Sequence, residues 1–192
     1  MNQLELLKHE RFSRSPDNHI YLNGPDKGGD LAEKISYYCR DNIKDLTQGN
    51  YLACGVGGAI AELSFANKLG FSANKIYLLD KEFGDYIFEN LKEFDSVDAK
   101  VIPFGLLNFL FNYKEFFNLK FTMVTAFGMD YFLRDKSVLI AVLTELSEIV
   151  KPGGIFYAFP QYFFPSEDIL LALGWKYLKS QESDVVMILQ RV

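Results

Sequence analysis

Short apolar runs alternate along most of the chain with longer stretches in which apolar residues recur every third or fourth position. The first pattern marks buried strands and the second amphipathic helices. Residues 51–54, 76–79, 100–104, 121–127 and 155–159 read as strands. Between them, residues 59–69 read as a helix closed by Gly70, a residue suited to the left-handed position after a helix. Residues 83–94 carry Phe83, Ile87, Leu91 and Phe94 at helical spacing, and residues 106–117 carry Leu106, Leu110, Tyr113 and Phe117. Residues 137–150 place Leu139, Val142, Leu143, Leu146, Ile149 and Val150 on one face. That helix stops at Lys151-Pro152-Gly153-Gly154, where proline cannot continue it.

The two ends differ from the middle. Residues 1–30 are polar and rich in Ser, Asn, Pro and Gly, which predicts an irregular N-terminal arm. Asp30 then caps a helix reaching about residue 45, with Leu31, Ile35, Tyr38 and Cys39 on one stripe. Near the other end, Pro165-Ser166-Glu167-Asp168 opens a helix that Gly174 ends. Strands over 175–179 and 185–190 follow, joined by residues 180–184 with no helix between, so they pair as an antiparallel hairpin. The expectation is a three-layer α/β sandwich: a mostly parallel sheet, helices on both faces, and an antiparallel ending. At 192 residues the chain fits one domain over 31–192 behind the arm.

Composition narrows the function classes. Hydrophobic residues make up 49% and charged residues 23%, as in a packed protein. The net charge is -5 and the basic residues are scattered, so no stripe exists to neutralise a nucleic-acid backbone. Two cysteines, Cys39 and Cys54, show no metal-type spacing, and no metal site is expected. The start of the chain lacks a signal-peptide core, and polar residues break the apolar stretch 106–121, so it does not span a bilayer. The reading is of a cytoplasmic protein with no membrane partner.

The chemistry gathers at two strand ends. Cys54-Gly55-Val56-Gly57 follows the first strand and leads into a helix, and Asp80 ends the second strand. Gly55 and Gly57 allow a sharp turn and close approach of a ligand, and open α/β sheets bind ligands at such strand ends. A carboxylate there can accept both hydroxyls of a ribose. Together with Lys151-Pro152-Gly153-Gly154 before the fifth strand, this order resembles the class I S-adenosylmethionine-dependent methyltransferase family over residues 31–192.

The resemblance implies a Rossmann-like fold and S-adenosyl-L-methionine as cofactor. It implies cofactor contacts from Ala53, Cys54, Gly55, Gly57, Asp80, Lys81 and Phe127. It also implies a small-molecule acceptor near Gly128, Asp130 and Tyr131, with His19 and Tyr21 of the arm covering it. The chain departs from the family's D/E-x-G-x-G-x-G loop: Tyr51 is read at the acid's position and Ala53 at the first glycine's. No acid follows the third strand within Phe104-Gly105-Leu106-Leu107, and no Asn/Asp-Pro-Pro-Tyr/Phe motif follows the fourth. Two other readings stay open: a non-catalytic binding or assembly module of the same fold, and an aminopropyl transferase using a related cofactor. A nicotinamide-dependent dehydrogenase is disfavoured, because Ile60 stands where a small residue is needed for close helix–strand packing.

Overall fold

The apolar runs too short for helices do become strands. The computed structural model describes residues 1–12, 25–84, 86–159, 163–178 and 186–192. Among them are β1 (Asn50–Cys54), β2 (Ile76–Leu79), β3 (Lys100–Ile102), β4 (Phe121–Ala126), β5 (Val150–Ala158), β6 (Trp175–Tyr177) and β7 (Met187–Arg191). They form one sheet in the order β3-β2-β1-β4-β5-β7-β6. β1 to β5 pair in parallel, and β7 lies antiparallel between β5 and β6. The strand order reverses at β1: β2 and β3 build outward on one side, and β4 returns to the other. Open sheets of this kind hold ligands at that switch point.

The helices are α1 (Gln3–Phe12), α2 (Pro25–Tyr38), α3 (Ile43–Gln48), α4 (Ile60–Leu69), α5 (Ile87–Glu93), α6 (Leu106–Asn108), α7 (Lys114–Phe117), α8 (Asp130–Leu133), α9 (Lys136–Ile149) and α10 (Glu167–Ala172). A π-helical turn, Phe109–Tyr113, joins α6 to α7. The period-2 alternation of the strands sorts the core into two layers. Tyr51, Ala53, Met123, Ile155 and Tyr157 face the cluster built with α2, α4 and α5. Leu52, Cys54, Val124, Phe156 and Ala158 face the cluster built with α1, α6, α9 and α10. The three-layer architecture and the antiparallel pairing of the last two strands agree with the sequence. The connection over 180–184 lies outside the described residues.

Three expectations are corrected. The arm is not irregular throughout: α1 occupies Gln3–Phe12 and α2 starts inside it, at Pro25. α1 starts with a reciprocal cap, in which Asn2 Oδ1 accepts from Glu5 N at 3.0 Å and Glu5 Oε2 accepts from Asn2 N at 2.8 Å. Gly28 is a contact residue within α2 and not a turn residue, since a Cβ there would strike the Ala61 carbonyl of α4. The helix expected over 30–45 is two helices, α2 and α3. Finally, Lys151–Gly154 lies within β5 as a bulge: the pairing with β4 jumps from Phe121↔Val150 to Met123↔Ile155, and Gly153 takes φ 80°.

The antiparallel edge is anchored by Trp175, fully buried, whose Nε1 donates to the Leu143 carbonyl of α9 at 2.9 Å. Among the described residues no helix is long and apolar enough to cross a membrane. Trp175→Ala leaves a large cavity and is expected to cost about 3–5 kcal/mol of stability, read from urea unfolding midpoints.

Candidate functional site at the exits of β1 and β2

Parallel pairing of Cys54 with Leu79 brings the ends of β1 and β2 side by side, and Gly55 N donates to the Leu79 carbonyl at 2.8 Å. The chain then turns through left-handed backbone at Gly55 (φ 69°), Gly57 (φ 51°) and Ala59 (φ 61°) before α4 begins at Ile60. Ala59 holds that conformation despite its Cβ, a strain of roughly 1–2 kcal/mol of the kind stored at functional turns. Two further contacts pin the loop from the β2 side. Gly84 N donates to the Gly57 carbonyl at 3.2 Å, and Asn90 Nδ2 donates to the Gly58 carbonyl at 2.6 Å.

Asp80 closes the arrangement. Its Oδ2 accepts from Gly57 N at 2.7 Å and its Oδ1 accepts from Glu82 N at 3.0 Å. The carboxylate therefore faces the glycine loop. Among the described residues, no atom lies within 4 Å of a Cβ built on Gly57, where a side chain would project. Gly55 is covered: a Cβ on it would run into Met129 Cγ and lie 3.1 Å from Met129 Sδ.

The residues expected to hold a cofactor thus separate into two groups. Gly55, Gly57, Asp80 and Lys81 stand together at the exits of β1 and β2. Ala53, Cys54 and Phe127 point their side chains into the core, all fully buried, and can meet a ligand only through backbone. Burial pushes the Cys54 thiol well above its ordinary pKa, assisted by the nearby Asp80 and Glu62 carboxyls. Phe127 packs edge-on against Phe65 and Tyr157, each ring 5.2 Å away. Gly128 leaves β4, and Asp130 and Tyr131 open α8 at the same end of the sheet. His19 and Tyr21 lie outside the described residues.

Sequence reasoning missed three residues that shape this end of the sheet. Glu10, at the end of α1, is buried and caps the helix after β3: Oε1 accepts from Leu107 N at 2.6 Å and Oε2 from Asn108 N at 2.9 Å. Lys81 Nζ reaches back to donate to the Glu10 carbonyl at 3.0 Å. α1 therefore ties the exit of β2 to the exit of β3, and His9 stacks on Phe132 of α8. Met129 covers Gly55. Glu62, buried in the first turn of α4, is pushed up to about 8 by burial, with the Asp80 charge adding to the shift. Only the Asn2/Glu5 capping pattern, which marks α1, was legible beforehand. The partners of Glu10 and Met129 are distant in the chain.

No family model and no curated protein matches the chain. Solved structures do. The CcbJ methyltransferase of Streptomyces caelestis superposes with a TM-score of 0.58 at 12% identity, covering 88% of this chain and 91% of that one. The ribosomal protein L11 methylase of Lactobacillus delbrueckii subsp. bulgaricus gives 0.54 at 15% identity, covering 82% and 78%. The 16S rRNA N2 G1207 methyltransferase of T. thermophilus, solved with AdoMet and guanosine, gives 0.55 at 13% identity, covering 94% of this chain and 44% of that one. The chain has the Rossmann-like fold of the class I methyltransferases.

The loop takes left-handed backbone at 55, 57 and 59, and the Tyr51 and Ala53 side chains are fully buried, so neither side chain reaches a ligand at the loop.

Two predictions follow from the buried acids. Glu62 keeps its proton in the folded chain up to about pH 8, while unfolding returns it to its ordinary 4.5. The folded state binds the extra proton between those values, so stability falls as pH rises from 4.5 to 8 and then levels off. Glu62→Gln is expected to flatten that slope and to stabilise the protein at pH 8 and above, measured by urea midpoints from pH 5 to 9. Glu10→Ala removes a cap from two amides and is expected to cost about 1–2 kcal/mol, with faster amide exchange at Leu107 and Asn108.

Proposed function

We propose that the chain binds S-adenosyl-L-methionine across the exits of β1 and β2 and transfers its methyl group to an acceptor at the exit of β4. The observation that carries this reading is the Asp80 carboxylate, held against the Gly57 amide with open space over Gly57. Each carboxylate oxygen accepts one backbone N–H and keeps acceptor capacity for a ribose hydroxyl. The absence of a Cβ at Gly57 leaves room for the sugar, and the first turn of α4 directs N–H groups toward the same place. Glu62 stays protonated near neutral pH and adds no charge beneath the loop.

The cofactor, when bound, supplies a methyl group already activated by a sulfonium. The protein's part is alignment and exclusion of water, which explains why no triad or metal cluster is needed. Gly128, Asp130 and Tyr131 are assigned to the acceptor side because they leave the sheet next to the glycine loop. A small-molecule acceptor is favoured by the net charge of -5 and the scattered basic residues. Two of the similar structures are methylases of 16S rRNA and of a ribosomal protein, so a macromolecular acceptor is the alternative to be tested. The second reading, a non-catalytic module of this fold, is favoured by the cover that Met129 places over Gly55. An aminopropyl transferase would use the same grip on the ribose with decarboxylated S-adenosylmethionine.

Thermal unfolding with S-adenosylmethionine, S-adenosylhomocysteine, decarboxylated S-adenosylmethionine and NAD separates these readings. A bound adenosyl compound at a hundred times its Kd is expected to raise Tm by roughly 5–10 °C. Asp80→Asn, which still offers an acceptor to Gly57, is expected to weaken that response at least about tenfold by losing the charged acceptor. A response to the decarboxylated compound alone would favour aminopropyl transfer. No response to any of the four would leave the non-catalytic module.

A further inference from the structure

The two glycines of the loop are not equivalent. Both are left-handed, yet the face of Gly57 is open while that of Gly55 is occupied by the Met129 side chain. The contact is intimate: Met129 Cγ, Sδ and Cβ are the three nearest atoms to a Cβ built at Gly55, and no larger residue fits at 55 without displacing them. Met129 is half-buried, and its backbone is fixed because its carbonyl accepts from Leu133 N at 2.8 Å in the first turn of α8. Its side chain is unbranched with three rotatable bonds, so it can retract while the backbone stays in place.

The strand order turns this contact into a selectivity device. Asp80 stands at the exit of β2, Gly55 at the exit of β1, and the Gly128–Tyr131 segment beyond the exit of β4. A nucleoside gripped at Asp80 and Gly57 meets open space. A ligand that also carries a long 5′ substituent toward β4 has to cross the face of Gly55. We propose that Met129 is the residue that sets selectivity between adenosyl ligands with and without that substituent. In the closed arrangement its thioether lies where the ligand's own thioether or sulfonium would pass, so a bare nucleoside binds without moving it and S-adenosylhomocysteine must displace it. The proposal rests on the reading of the exits of β1 and β2 as an adenosyl site.

The experiment compares adenosine and S-adenosylhomocysteine by isothermal titration on the full chain, as the parent, Met129→Ala and Met129→Leu, with the ligand-free Tm of each variant as the folding control. Met129→Ala is expected to tighten S-adenosylhomocysteine on the order of tenfold while leaving adenosine within about twofold, because only the longer ligand has to displace the side chain. Met129→Leu keeps the bulk and is expected to stay within about twofold of the parent for both ligands. Adenosine and S-adenosylhomocysteine changing in parallel, an unchanged ratio, or weaker S-adenosylhomocysteine binding in Met129→Ala would each overturn the assignment while leaving the adenosyl site standing. Failure of parent and variants alike to bind either ligand would overturn both.

Discussion

The carboxyl end of this sheet is organised around a hydrogen bond from the Gly57 amide to the Asp80 carboxylate. It joins the turn after β1 to the turn after β2, and because the acceptor is charged it is among the stronger bonds the chain makes there. Its geometry depends on the register of the strands beneath it. Cys54 pairs with Leu79, so Gly55 and Asp80 emerge level with one another. The bond fixes where an anionic acceptor sits relative to the start of α4. Asp80 does more than stabilise its own turn: besides Glu82 N, its carboxylate also engages the glycine loop.

Around that bond the chain builds walls from distant segments. α1 crosses from β2 to β3, held by Lys81 at one point and by Glu10 over the amides of Leu107 and Asn108 at another. The amides at the start of a helix need partners, and here a side chain almost a hundred residues away in sequence supplies them. Gly105 shows how close the docking is, since a Cβ there would lie 2.6 Å from the Glu10 carboxyl group. On the far side, α8 carries Met129 over Gly55 and receives the His9 ring on Phe132.

The sequence made the strands legible because each is a short apolar run bounded by turn residues, and it made Asp80 legible because an acid ending such a run is conspicuous. The antiparallel ending followed from the absence of a helical pattern in the sequence between residues 179 and 185. The boundaries of α2 were lost because Gly28 and Gly29 read as a turn, whereas Gly28 is a close-packing residue against α4. α1 was lost to the polar composition around it, although Asn2 and Glu5 carry a capping signature. The left-handed turn at Ala59 was not legible, because an alanine carries no sequence signal for positive φ. The roles of Glu10, Met129 and Glu62 could not be read from local pattern at all, since each depends on what the fold packs beside it.

The central claim is that the Gly57–Asp80 pair is the grip on a nucleoside. Backbone amide NMR during a titration with adenosine tests it directly, because a diol competing for the carboxylate must alter the bond to Gly57. The account predicts saturable shifts centred on Gly55, Gly57 and Lys81, all reporting one Kd. Saturable shifts confined to another face of the sheet, or a Gly57 resonance that stays fixed at saturating nucleoside, would contradict it.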